Sequence, residues 1–205
     1  MMTMLTRQAG AALRVLVVLT IVLGLAYPLA VWGVAHLPGL AGRAEGSILT
    51  GPDGTPAGSS LIGVDPVPAD PAADPYFHTR PSAGAEDVLG PGDPSASGGS
   101  NQGGFSTDLL DAVEQRRAAI AQREGVAPEL VPADAVTASS SGLDPHISPE
   151  YAALQVPRVA RVTGLGVAQV QELVAASTQG RPLGVLGAQA VNVTELNLSV
   201  ADAAR

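Results

Sequence analysis

VLVVLTIVLGLAYPLAVWGVA, residues 15–35, runs for about 21 positions without a charged side chain. At about 1.5 Å per residue a helix of that length crosses a bilayer core of roughly 30 Å. No other stretch of the 205-residue chain is comparable, so every other residue is expected on one side of this span or the other. Arg7 and Arg14 precede it with no acidic residue among them, and all the acidic side chains follow it. By the positive-inside rule residues 1–14 are expected in the cytoplasm and residues 36–205 outside it, as one extracytoplasmic domain. Tyr27 and Trp32 fall in the distal half, where an outer aromatic belt sits.

A cleaved signal peptide is the competing reading, because the start is basic and Gly33-Val34-Ala35 is a tolerable small-x-small cleavage site. The apolar run exceeds the roughly 7–15 residues of a signal h-region, which favours an anchor. Within the span Ala26, Ala30 and Gly33 share one helix face as a stripe of small residues, the kind of surface that lets a second helix approach closely. Pro28 removes a backbone hydrogen bond and is expected to bend the helix. Ala26, Pro28, Ala30 and Gly33 are therefore candidate contacts to a membrane partner besides the lipid bilayer itself.

Composition excludes several classes. A net charge of -8 argues against nucleic acid as a partner. Cysteine is absent, which removes disulfides, zinc-thiolate sites, iron–sulfur clusters and a lipidated cysteine anchor. All 11 basic residues are arginine, so no Walker A lysine, Schiff base or lysine general base exists. Aromatics make up only 3% of the chain, so the core is expected to be built from Val, Leu and Ala. Gly and Pro supply one residue in five, which predicts long ordered loops.

The region after the span predicts an α+β domain. Gly39–Gly46 looks like a short linker. Ser47–Leu49 and Ser59–Gly63 are candidate strands joined through the turn-rich Gly51-Pro52-Asp53-Gly54. A helix is expected from Ser106 or Thr107 to Gly125, with Leu109, Leu110, Val113 and Ile120 inward and Glu114, Arg116 and Arg123 on the wet side. Val131–Gly142 suggests a short strand and a serine-rich turn. Ser148-Pro149-Glu150 is a strong helix start, and that helix should reach about Thr163 with a kink at Pro157. Gly164–Gly166 breaks it, and a second helix over 167–177 completes an αα-hairpin. The alternation of Val191, Val193, Leu196, Leu198 and Val200 with polar residues predicts β structure at the end, with a slip at Thr194-Glu195.

Chemistry-bearing groups are few. Asp144, His146 and Ser148 invite comparison with a hydrolase triad, but no G-x-S-x-G elbow accompanies them, and a capped turn is the plainer reading. His36, His78 and His146 form no metal-ligand pair at helical spacing, so no metal site is expected. Ser97-Gly98-Gly99-Ser100-Asn101-Gln102 is either a linker or a nest of backbone N–H groups suited to an anion.

Several stretches are more distinctive in order than in composition. They are Tyr27-Pro28-Leu29-Ala30-Val31, Gly58-Ser59-Ser60-Leu61-Ile62-Gly63, Tyr76-Phe77-His78-Thr79-Arg80-Pro81-Ser82-Ala83, Ser97–Asn101 and Val131–Ser139. Ser141-Gly142-Leu143-Asp144-Pro145-His146-Ile147-Ser148-Pro149, Gln155–Ala160, Gly180-Arg181 and Val191-Asn192-Val193 with Leu196-Asn197-Leu198 complete the set. Together they resemble the C subunit of the bacterial Kdp-type potassium-transporting ATPase. The resemblance implies a non-catalytic accessory subunit of an inner-membrane complex. Its partners would be a channel-like potassium-translocating chain, an ATP-hydrolysing P-type chain and a very small extra membrane chain. It implies a catalytic-chaperone role that raises ATP affinity, with Ser97, Gly98, Gly99, Ser100, Asn101 and Gln102 as the candidate nucleotide loop and no intrinsic cofactor besides ATP held through the ATPase chain. Tyr76, Phe77, Arg80, Asp144 and His146 are the candidate partner contacts in the soluble part. The inherited ATP contact conflicts with the export of residues 36–205, since ATP is cytoplasmic.

Overall fold

The computed structural model describes residues 2–205; Met1, the first residue of the expected cytoplasmic N-terminus, lies outside the described residues. The chain divides into two compact units, one ending at Ser47 and the other spanning Ile48–Arg205.

The first unit is a long helix followed by one short turn of helix. Helix α1 (Met2–Ile21) passes through a π-helical turn at Val22–Ala26 into α2 (Tyr27–Ala35), and Thr3–Ala35 is apolar and long enough to span a membrane. The π-turn has a local cause. Pro28 has no N–H to give, and its ring collides with the carbonyl four residues back. The preceding turn widens so that the Tyr27 N–H bonds the Val22 carbonyl, the usual way a helix absorbs such a residue. The expected bend at Pro28 is thus realised as a π-turn inside a continuous helical run. Ala26, Pro28, Ala30 and Gly33 are all exposed along it. Gly39–Gly46, expected as a plain linker, contains the one-turn helix α3 (Ala41–Ala44).

The second unit is the α+β domain. It opens with a hairpin of β1 (Ile48–Thr50) and β2 (Pro56–Ser59), antiparallel, turning through Gly51–Gly54 as expected. The second strand lies slightly earlier than Ser59–Gly63. A long segment without regular structure, apart from a 3₁₀ turn at Pro71–Ala73, then leads to α4 (Thr107–Glu124). Ser106 caps that helix by accepting from the Leu109 N–H at 3.3 Å, and Gly125 ends it with φ 69°. Next come α5 (Ala133–Val136), β3 (His146–Ile147), α6 (Pro149–Thr163) and α7 (Val167–Ala176). The chain closes with β4 (Thr178–Gln179), β5 (Ala190–Asn192) and α8 (Val193–Ala203). The small sheet runs β3-β5-β4, antiparallel throughout. Helices α6 and α7 form the expected hairpin, and α8 packs on α7 and on β2.

Three expectations are corrected. The stretch starting at Val131 makes a helical turn, α5, instead of a strand: Pro132 and Asp134 suit a helix start better than a ladder. The C-terminal β reading holds only for Ala190–Asn192. From there Asn192 accepts the Glu195 N–H at 3.1 Å and starts α8. Val193, Leu196 and Val200, all buried, recur at i, i+3 and i+7, which is a helical face. Finally, Arg123 does not lie on a wet face; it turns inward to the Tyr151 hydroxyl at 2.9 Å, while Leu110 is 55% exposed. Pro157 sits on the exposed side of α6, and the helix continues through it.

The core is aliphatic as expected, with valines and alanines predominating around the two fully buried aromatics, Phe77 and Tyr151. Such small side chains leave room for polar groups, and Gln155, Arg158, Asn192, His78 and Asp74 are buried among them. Among the described residues every buried side-chain polar atom has a hydrogen-bond partner, which is what makes such a core tolerable.

Candidate functional site

The segment Ser139–Ile147 is where the distinctive stretches of sequence meet. Ser139 N–H donates to the Pro81 carbonyl at 2.9 Å, Gly98 N–H to the Ser141 carbonyl at 2.9 Å, Gly63 N–H to Leu143 at 2.8 Å and Val193 N–H to Pro145 at 2.8 Å. Serine builds the turn itself. The Ser139 hydroxyl accepts from Gly142 N–H and the Ser141 hydroxyl from Leu143 N–H, each at 3.1 Å, so short side chains stand in for backbone partners. Glycine lets the neighbouring loops close in. A Cβ on Gly63 would sit 2.8 Å from the Asp144 carbonyl oxygen, and one on Gly99 would sit 2.8 Å from that of Ser140. Gly63, Gly99, Ser139 and Ser141, from separate stretches of the sequence, thus serve one packing arrangement.

On this frame Arg80, Asp144 and His146 come together. Arg80 Nη2 donates to Asp144 Oδ2 at 2.7 Å, and Asp144 Oδ1 accepts the His146 N–H and faces His146 Nδ1, each at 3.0 Å. Burial works against the Asp144 carboxylate, but the hydrogen bond from Arg80 and those from His146 outweigh it and hold its pKa below the ordinary value. A cleft of about 410 Å³ beside the pair is lined by Leu61, Ser97, Ser140, Ser141, Asp144 and His146, among others. The hydrolase arrangement does not form. The Ser148 hydroxyl donates to Asp134 Oδ1 at 2.8 Å and accepts the Tyr151 N–H at 3.0 Å, so it serves as the cap of α6.

The candidate nucleotide loop lies against the same frame. Ser97 Oγ donates to the Ser141 carbonyl at 3.1 Å, and Gly98 N–H is used on that same oxygen. Asn101 adopts φ 52° and its amide donates to the Gly99 carbonyl at 3.2 Å, while Ser100 and Gln102 are exposed. Of the candidate partner contacts, Tyr76 is 37% exposed, but Phe77 is wholly buried. Phe77 is therefore withdrawn as a surface contact: the sequence shows an aromatic pair, and the extended backbone sends its two members to opposite faces.

A second constellation is invisible in the sequence. Asn197 and Gln155 clamp the extended backbone at residues 77 and 78. Each side-chain amide accepts one N–H at 2.8 Å and returns a bond to the carbonyl of the same residue. Below them lies a buried ionic network. His78 Nδ1 faces both Asp65 oxygens at 3.1 Å, and His78 Nε2 faces Asp74 Oδ2 at 2.7 Å. Arg158 reaches Asp74 Oδ2 at 2.9 Å through Nη1 and Glu124 Oε2 at 3.0 Å through Nε. Arg123 reaches Glu124 Oε1 at 2.7 Å. Three carboxylates thus face two guanidinium groups and one imidazole, and burial pushes the neighbouring Tyr151 phenol up to about 12. The only sequence signal was the i, i+4 spacing of Asp74 and His78, which is weak outside a helix.

With this geometry in view, the comparisons with known proteins agree. Residues 9–202 match the model of the KdpC family, described as K+-transporting ATPase, c chain. A Potassium-transporting ATPase KdpC subunit of Kineococcus radiotolerans is 51% identical over 203 residues, covering 99% of this chain and 97% of that protein. Those of Polaromonas naphthalenivorans and Methylorubrum extorquens are 47% and 43% identical, covering 92% and 97% of this chain and 91% and 98% of those proteins. An apolar helix of spanning length, an α+β domain and a match along almost the whole sequence agree, and the chain belongs to the KdpC family, the c chain of K+-transporting ATPases.

Proposed function

We propose that this protein is a non-catalytic accessory subunit of an ATP-driven potassium uptake complex in the bacterial inner membrane. The observation that carries the proposal is the family match over residues 9–202. The helix Thr3–Ala35 anchors the subunit and packs against the potassium-translocating chain through Ala26, Ala30 and Gly33. Residues beyond the span lie outside the cytoplasm, a reading supported by Arg7 and Arg14, which precede the uncharged residues 15–35 of this helix, and by the first acidic residue, Glu45, after it. The non-catalytic role is supported by Ser148, the nearest nucleophile to His146 in sequence, whose hydroxyl is occupied by helix capping.

The domain stabilises the assembled complex, which also includes the ATP-hydrolysing P-type chain and a very small membrane chain. It raises ATP affinity by coupling through the complex. Coupling of this kind is reciprocal: whatever favours the potassium-occupied, subunit-bound state also favours nucleotide binding in it. The test is to place single cysteines at the exposed positions Ser100 and Glu172 and to label intact cells with an impermeant thiol reagent. Labelling of both from outside, together with a loss of ATP affinity when the subunit is omitted from the complex, is the expected result. Protection of both until the membrane is opened would overturn the topology and make Ser97–Gln102 a candidate for direct nucleotide contact.

A further inference from the structure

We propose that His78 is a proton-operated latch: its protonated ring bridges Asp65 and Asp74, pins the 65–74 segment to the α4–α6 core, and releases that segment when the proton is lost.

His78 is 5% exposed, and both of its ring nitrogens face carboxylates, Nδ1 toward Asp65 at 3.1 Å and Nε2 toward Asp74 at 2.7 Å. A neutral imidazole carries one N–H and one lone pair, so it can donate to only one of them; the other carboxylate would then meet a lone pair. Only the imidazolium satisfies both. The carboxylates are themselves fixed. Asp65 Oδ1 accepts the Thr79 N–H at 2.9 Å, and Asp74 Oδ2 is paired with Arg158 at 2.9 Å.

The charged and titratable groups around the ring come from three elements. The 65–74 segment supplies Asp65 and Asp74, α6 supplies Arg158 and Tyr151, and α4 supplies Arg123 and Glu124. Burial opposes the charged ring, and Arg123 opposes it too, but the hydrogen bonds to Asp65 and Asp74 outweigh them, so His78 titrates above its ordinary value of 6.5. A raised folded pKa fixes the sign. The stabilisation is complete below the unfolded value of 6.5 and is lost as pH rises through the folded pKa.

Besides His78, the segment is held at its two ends, by Thr79 on Asp65 and by Arg158 on the Asp74 carboxylate and carbonyl, each at 2.9 Å, and little holds it between them. It contains Pro66, Pro68 and Pro71, which donate no backbone hydrogen bonds, and its regular structure is one 3₁₀ turn capped by Asp70. It forms one wall of a cleft of about 990 Å³ whose other side includes Gln122, Arg123 and Arg161. Loss of the His78 proton leaves Thr79 and Arg158 as the remaining ties, so it loosens this wall of the cleft. The latch operates whichever side of the membrane the domain occupies.

The test uses the full-length chain in detergent with His36→Gln and His146→Gln, which leaves His78 as the sole histidine. With ¹⁵N-labelled histidine, the ring is followed from about pH 5 to pH 10. In parallel, hydrogen exchange of residues 65–79 is measured and corrected for the intrinsic base-catalysed rate. Both ring nitrogens should be protonated at pH 6.5, and the opening equilibrium of 65–79 should rise by about tenfold per pH unit up to the ring's transition. Asp65→Asn should move that transition to lower pH, and His78→Gln should give fast exchange with a flat pH profile. A ring that is already neutral at pH 6.5, or an opening equilibrium of 65–79 that does not rise between pH 6.5 and the ring's own transition, would overturn the latch.

Discussion

Arg80 and Asp144 stand 64 residues apart in sequence and meet at 2.7 Å, where they join the Tyr76–Ala83 motif to the Ser141–Pro149 motif. Both side chains are partly open to solvent, with 22% and 32% of their surface exposed. The pair therefore fixes an orientation more than it supplies stability. It sets Asp144 against the His146 N–H and so presents one ordered polar surface beside the Ser139–Ser141 turn.

Replacing Arg80 with Ala should for that reason cost about 1 kcal/mol in stability, the upper end of the range for exposed ion pairs, because this one is only partly open to solvent. The larger effect should be on assembly. Co-purification of the subunit with its complex should fall while the urea midpoint of the isolated full-length chain scarcely moves. A large drop in the midpoint would mean that Arg80 holds the fold itself and offers no surface to a partner.

Glu124 presents the opposite case. Its side chain is wholly buried and accepts from both Arg123, at 2.7 Å, and Arg158, at 3.0 and 3.2 Å. Glu124→Gln leaves two guanidinium groups sharing a neutral acceptor inside the core. Breaking a buried pair from one side costs about 3–5 kcal/mol, because the remaining charge is uncompensated. Chemical denaturation of the full-length chain should show a loss of that order. A loss below about 1 kcal/mol would show that water reaches the network and that it contributes as a surface pair does.

What the sequence disclosed and what it hid divide by range. Helices α4 and α6 were legible because their boundaries are written locally. Ser106 and Ser148 cap them, Pro149 occupies the first turn, and Gly125 and Gly164 end them at φ 69° and 77°. The start of helix α8 is ambiguous in the sequence because Val191, Asn192 and Val193 also satisfy a two-residue period. What decides is that the Asn192 side chain both caps the helix and donates to the Ser60 carbonyl at 2.8 Å, a contact 132 residues away. The polar surface was partly legible, since Arg80, Asp144 and His146 lie in the two most distinctive motifs and do converge. The ionic network was not. Its members are drawn from Asp65 to Arg158, and no local pattern says that an arginine on a helix will turn inward to a glutamate on another.

Acid should weaken the domain with a sign set by Asp74. Burial disfavours its charge, but the hydrogen bond and charge of His78, helped by the Tyr76 N–H and Arg158, prevail and lower its pKa from 3.8. A depressed folded pKa means that the contribution is present above 3.8 and disappears as pH falls through the folded value. The urea midpoint should hold steady down to about pH 4 and then fall, and Asp74→Asn should flatten that limb while lowering the plateau. An acid limb identical in Asp74→Asn would assign the loss to other carboxylates.

Two glycines make the packing argument for the Ser139–Ile147 frame testable. A Cβ on Gly63 would stand 2.8 Å from the Asp144 carbonyl oxygen and also crowd the Pro145 backbone, whereas one on Gly103 meets nothing within 4 Å. In Gly63→Ala the backbone must yield, since no flexible side chain is available to move aside, and overpacking of this kind costs about 1–3 kcal/mol. The displacement falls on the segment that carries Asp144, so the Arg80 pair should loosen and hydrogen exchange at Leu143–Ile147 should quicken. Gly103→Ala removes backbone freedom from the unfolded chain and should be neutral or stabilising by up to about 1 kcal/mol. Equal and small effects at both positions would mean that the loop carrying Gly63 stands off from Asp144 in solution. The glycines of the distinctive motifs would then need an explanation other than close approach, and the Arg80–Asp144 surface would lose the frame that holds it in place.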